Sequence, residues 1–202
     1  MEFNKCVSIL ESRQHDQISS SCPCRHQINE SDICLEIGTA TARYGEMSSD
    51  KSTLELVNNF VSLQEERVQV YRYFDNELKV LLSGPAGVEE YPKLCTRVTA
   101  KFSDIGIEMV KIRDLIGMRN QKELLSYINA VQQWEKKKLM LIAAKHLDIL
   151  QDKVSTLSQM TGGKTERQEK YLAEQLEECF GGITEALEGI MSAKCELLED
   201  DE

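Results

Sequence analysis

Residues 92–116, PKLCTRVTAKFSDIGIEMVKIRDLI, decide the fold. Leu94, Val98, Phe102, Ile105, Met109, Ile112 and Ile116 follow one another at steps of three and four, which puts all seven on one face of a helix. Pro92 suits the first helical position, where its missing N–H leaves no hydrogen bond unmade. Working outward, the segment is bounded by turn residues, Gly84-Pro85-Ala86-Gly87 before it and Gly117-Met118-Arg119-Asn120 after it. Beyond each turn the helical spacing resumes. Upstream, Ser52 or Thr53 is a good N-cap with Glu55 in the first turn, and Leu56, Phe60, Leu63, Val70, Tyr71, Phe74, Leu78 and Leu81 share a face. Downstream, from about Gln121, the residues Leu124, Ile128, Val131, Leu139, Ile142 and Ile149 repeat the pattern toward Leu157. Three long helices joined by short turns predict an all-α, elongated antiparallel bundle, up-down-up, about 50 Å long at 1.5 Å per residue.

The flanks differ from this core. Residues 1–50 hold no sustained period and are expected to form a disordered N-terminal tail. Residues 51–160 form the bundle domain. Residues 161–202 begin with a linker, Thr161-Gly162-Gly163-Lys164, and continue as a fourth helix near Glu166–Leu198. There Leu172, Leu176, Cys179, Ile183, Leu187 and Ile190 make an apolar face interrupted by Gly181-Gly182. Basic and acidic residues number 4 and 8 in the tail, 16 and 14 in the bundle, and 4 and 12 in the C-terminal segment, so the acidity sits at the end. A strongly acidic end argues against phosphate binding there. No apolar run approaches the 18 to 20 residues, roughly, of a membrane span. Val7–Leu10 is too short for a secretory signal, and seven scattered cysteines suit a reducing compartment, so the nucleus or cytoplasm is expected.

Two charges break the apolar stripes. Arg67 and Glu135 each occupy a core-facing step of a helix, where an unpaired charge is heavily penalised, and are expected to pair. In an up-down-up bundle the first and third helices run parallel, and both residues lie about 20 Å along them. Gln64 and Tyr71, one turn either side of Arg67, and Gln132, one turn before Glu135, complete a candidate polar layer. Its expected role is to fix helix register, with a ligand or interaction site as the alternative.

Other constellations are weaker. Cys22, Cys24, His26 and Cys34, with His15, lack the paired C-x2-C knuckles of common zinc modules, so no metal is expected. Gly162-Gly163-Lys164-Thr165 imitates the end of a phosphate-binding loop, but its first glycine would fall at Ser158 and a helix precedes it. Lys93, Arg97 and Lys101, and Lys136-Lys137-Lys138, are basic faces interspersed with acids. Cys95, near the predicted start of the second helix, has no histidine placed as a base and reads as a small hydrophobe. No catalytic residue and no cofactor is expected.

The run Phe60-Val61-Ser62-Leu63-Gln64-Glu65-Glu66-Arg67, then Tyr71 and Phe74, then Tyr91-Pro92-Lys93-Leu94-Cys95 and Phe102, then Gln132-x-x-Glu135-x-x-Lys138-Leu139, resembles the required-for-excision 1-B domain family over residues 55–150. The resemblance takes in Gln64, Arg67, Tyr71, Gln132, Glu135 and Lys138, and implies a connection with excision repair of damaged DNA, with no catalytic residues. The expectation is therefore a non-enzymatic helical accessory protein whose partners are other proteins, repair factors among them, with the fourth helix as the contact. Direct nucleic-acid binding through the second and third helices is the first alternative. A self-associating coiled coil, a homodimer for instance, is the second.

Overall fold

A computed structural model describes residues 51–84, 87–157 and 166–199. These residues form four helices and no strand: α1 (Thr53–Ser83), α2 (Gly87–Met118), α3 (Lys122–Leu157) and α4 (Glu166–Glu199). Residues 1–50, with the N-terminal cysteines, His15 and His26, the segment Gly162-Gly163-Lys164-Thr165 and the acidic residues 200–202 lie outside the described residues. Among the described residues, no helix is long and apolar enough to cross a membrane.

The helix ends follow from local chemistry. Ser52 Oγ accepts from Glu55 N–H at 3.1 Å while Glu55 Oε2 accepts from Ser52 N–H at 2.7 Å, a complete capping box that starts α1. Asn120, at φ 60°, takes the left-handed conformation that its short amide tolerates better than most side chains, and this turns the chain from α2 into α3.

Pro92 does not begin α2; the helix starts at Gly87 and carries Pro92 in its interior. Tertiary packing overrides the local preference. Tyr91 is buried to 3% exposure, its ring 6.1 Å from Phe74 and 6.2 Å from His146, so the turn before the proline is pinned to the core. The missing N–H falls close to the helix start, where few hydrogen bonds are at stake. Cys95 is consequently more than two turns into α2, outside the reach of the helix N-terminus, and packs half-buried on the core.

The core takes four helices rather than three. α1 packs mainly on α2, α3 packs mainly on α4, and the contact between α2 and α3 is thinner. The register between α1 and α3 is constant, because Gln64–Glu135, Asp75–His146 and Leu82–Lys153 all pair at a separation of 71 residues. Arg119 at the end of α2 donates to Thr53 Oγ1 at the start of α1, at 3.1 Å, and Arg97 lies 3.9 Å from Glu77. Leu56, Phe60, Leu63, Leu94, Met109, Ile112, Ile116 and Ile128 fill the centre and are closed off from solvent. Leu176, Cys179, Ile183, Ala186 and Ile190 of α4 are also buried, so this helix is a wall of the core.

Gly182 and Gly189 explain how α4 approaches α3. A Cβ on Gly182 would lie 2.2 Å from the Trp134 ring, and one on Gly189 would lie 2.5 Å from the Tyr127 ring. Both the glycines and the aromatics repeat at seven residues, the spacing at which knobs on one helix meet holes on the next.

Candidate functional site

Midway along the bundle, α1 and α3 bring Gln64, Arg67, Tyr71, Gln132, Glu135 and Lys138 together. Glu135 is the hub. Its Oε1 accepts from Gln64 Nε2 at 2.7 Å and from Lys138 Nζ at 3.0 Å, and its Oε2 accepts from Tyr71 Oη at 2.9 Å. Arg67 does not reach this carboxylate directly. Its guanidinium donates to Gln132 Oε1 at 3.0 Å and to Gln64 Oε1 at 3.3 Å, both neutral amides, while Lys138 takes the ion pair with Glu135. The expected Arg67–Glu135 pair is thus relayed through glutamines, because Lys138, one turn along α3, reaches Glu135 within its own helix. Lys138 Nζ also lies 4.0 Å over the Tyr71 ring, a favourable place for a desolvated ammonium.

The layer is dry. Arg67 and Lys138 are each 6% exposed and Glu135 is 4% exposed. Burial pushes the Arg67 and Lys138 pKa values down, against the neighbouring Glu135, which holds both up. Burial likewise pushes the Tyr71 phenol well up, with the Glu135 charge adding to it, so Tyr71 stays a donor. Two buried cations accompany one buried carboxylate.

The thin seam between α2 and α3 exposes one side of this layer. A half-open cavity of about 190 Å³ lies there, with Arg67, Tyr71, Gln132 and Glu135 as its floor. The facing wall on α2 is Thr99, Ser103 and Gly106, all small, and a Cβ on Gly106 would meet nothing within 4 Å. Phe102, Val110 and Leu139 supply apolar walls, and Lys136 stands at the rim. Sequence reading found the floor and missed the wall. The signal was present, since Thr99, Ser103 and Gly106 recur at i, i+4 and i+7, beside the apolar stripe.

His146 joins a second polar contact nearer the far end of α3. Its Nε2 lies 2.9 Å from Asp75 Oδ1, and its ring packs 4.3 Å from Phe74. Burial lowers its pKa by more than the Asp75 hydrogen bond and charge raise it, so the contact is a hydrogen bond from neutral imidazole rather than an ion pair. The basic faces are dispersed. Lys138 is buried, Lys137 pairs with Glu178 at 2.8 Å, Lys93 pairs with Glu90 at 2.8 Å, and Arg97 faces Glu77. Among the described residues, no group of three or more His, Cys, Asp or Glu is arranged to hold a metal ion.

Residues 55–149, which span α1, α2 and most of α3, match the family described as DNA repair REX1-B. This stretch is a REX1-B domain. The polar layer and the cavity lie wholly inside it, whereas α4 lies outside the matched residues although it completes the hydrophobic core of this protein. No curated protein and no solved structure matches the chain.

Proposed function

We propose that this protein, which matches the REX1-B family over residues 55–149, is a non-catalytic accessory factor in DNA excision repair that acts in the nucleus or cytoplasm by holding other proteins. The family match supports the repair half of this reading. The interaction half rests on one observation. After α4 has buried one apolar face in the core, a second edge still exposes Phe180, Met191 and Leu198 at 48%, 43% and 47%, and eleven and eighteen residues separate the last two from the first. Those spacings keep all three on one line of the helix, which is how an amphipathic helix presents anchors to a partner. An up-down-up-down arrangement of the four helices would keep this edge continuous along the rod.

Cross-linking and mass spectrometry in nuclear extract test the reading, with Lys194 on α4 as the reactive amine. The expected result is cross-links from Lys194 to repair proteins that vanish in a Phe180→Ser/Met191→Ser/Leu198→Ser variant whose circular dichroism is unchanged. Cross-links that persist in the variant, or that reach no repair protein, reject it. Direct nucleic-acid binding is less favoured, because Lys93, Arg97, Lys137 and Lys138 already face carboxylates within the chain. Sedimentation of the full chain separates a self-associating coiled coil from a monomer that waits for a partner.

A further inference from the structure

We propose that the groove between α2 and α3 is a binding site for a carboxylate on a short apolar stem, with the carboxylate on Arg67 and the stem against Phe102, Val110 and Leu139. The proposal is independent of the repair reading, since it rests on the charge, size and lining of the groove alone.

Charge comes first. Arg67 and Lys138 bring two buried positive charges to a layer whose carboxylate, Glu135, is already held by Lys138, Gln64 and Tyr71. Arg67 is left with neutral amides. A guanidinium carries five N–H donors, and among the described residues Arg67 uses two, on Gln64 and Gln132. A buried cation that hydrogen-bonds no carboxylate, beside a Glu135 already committed to three other donors, lines an accessible cavity and is the group that an entering carboxylate satisfies, for which the planar fork of arginine is suited.

Size and lining restrict the rest of the ligand. At about 190 Å³ the cavity is larger than the roughly 150 Å³ that admits benzene in an engineered apolar cavity. It is also below the roughly 300 Å³ at which drug-sized pockets begin, so the part of a ligand that enters it is small. The polar floor and apolar walls match a molecule with an anionic head and a few carbons behind it. Thr99 and Ser103 add hydroxyls that can donate to the carboxylate, and Lys136 at the rim adds positive potential on the way in. The same chemistry is offered by a free short-chain acid or by the C-terminal residue of a peptide.

The test uses the full chain in a 1H–15N NMR titration with sodium butyrate, against butyramide as the neutral isostere and sodium chloride as the ionic-strength control. Saturable shifts at the Gly106, Ser103 and Gln132 amides are expected with butyrate only. Gly106→Leu, whose side chain enters the open space beside α2, should weaken binding at least tenfold, roughly, while leaving the rest of the spectrum native. Arg67→Gln should weaken it about ten- to hundredfold, the value of a charge-assisted pair. If Arg67→Gln does not fold, the Gly106→Leu and butyramide arms still decide. A peptide ending in leucine with a free carboxylate, compared with its amide, distinguishes the sources: tighter binding than butyrate assigns the site to peptide ends, and weaker binding assigns it to free acids. Equal shifts with butyramide or chloride, no saturable shift with butyrate or peptide, or undiminished binding by folded Gly106→Leu overturns the proposal.

Discussion

α3 meets its neighbours through two seams that use glycine in opposite ways. Against α4, the faces of Gly182 and Gly189 are filled to the limit by Trp134 and Tyr127, and no room is left for a Cβ. Against α2, Gly106 faces open space over a floor of buried charge. The contrast teaches that a glycine on a helix face is not by itself a sign of close approach, and that what stands opposite decides. Aromatic rings opposite use up the space that a Cβ would take. Charged groups opposite, which must keep their hydrogen bonds, leave a space that side chains of α2 do not fill.

The largest effect is expected at the polar floor. Glu135→Ala removes the only carboxylate of the layer and leaves Lys138 and Arg67 as buried cations, which should lower stability by about 3 to 5 kcal/mol. Arg67→Met leaves the Glu135–Lys138 pair in place and deprives two amides of a donor, for a loss of about 1 to 3 kcal/mol. Urea unfolding of the two variants checks the order. If Arg67→Met is the more damaging, the relay through Gln64 and Gln132 does not describe the layer.

At the opposite seam, Gly182→Ala places a methyl group 2.2 Å from the half-buried Trp134 ring. Overpacking of this kind should cost about 1 to 3 kcal/mol. Trp134 is the chain's one tryptophan, so its fluorescence reports the displacement directly. Wild-type emission and stability in Gly182→Ala would mean that the seam is as loose as the one over the cavity.

How much of this was legible in the sequence follows from the same contrast. The stripes and caps declared the helices, since Ser52 with Glu55 and the steps from Leu94 to Ile116 depend on neighbours within one turn. Arg67 and Glu135 were visible because charge at a core step is a local anomaly. Their actual partners were not visible, because Lys138, Gln132 and Gln64 compete for the same atoms and only side-chain geometry decides between them. Pro92 was misread for a similar reason, as the pull of Tyr91 into the core is a tertiary effect. Gly182 was read as an interruption of a face and is instead a point of contact, a role that requires knowing that Trp134 stands opposite.

His146 sharpens the comparison through pH. Burial holds its pKa below the ordinary 6.5, so in the folded protein the ring stays neutral while the unfolded chain takes up a proton. The unfolded state then binds more protons, and stability falls as pH drops below about 6.5, levelling once the folded ring also titrates. The slope from one group is at most about 1.4 kcal/mol per pH unit. It should disappear in His146→Phe, measured by thermal melting between pH 7 and pH 5. A slope that survives would place the acid sensitivity in the carboxylates instead.

The smallest expected effect is the most diagnostic of the open seam. In a helix interior, glycine is less favourable than alanine by about 1 kcal/mol, and a Cβ at Gly106 meets nothing within 4 Å. Gly106→Ala should therefore stabilise the protein by up to about 1 kcal/mol, seen as a higher urea midpoint with an unchanged slope. The same change at Gly182 has the opposite sign, so the pair of alanine variants separates the two seams without touching a charge. A loss of stability at Gly106 would mean that the α2–α3 space closes in solution, and the cavity over Arg67 would close with it.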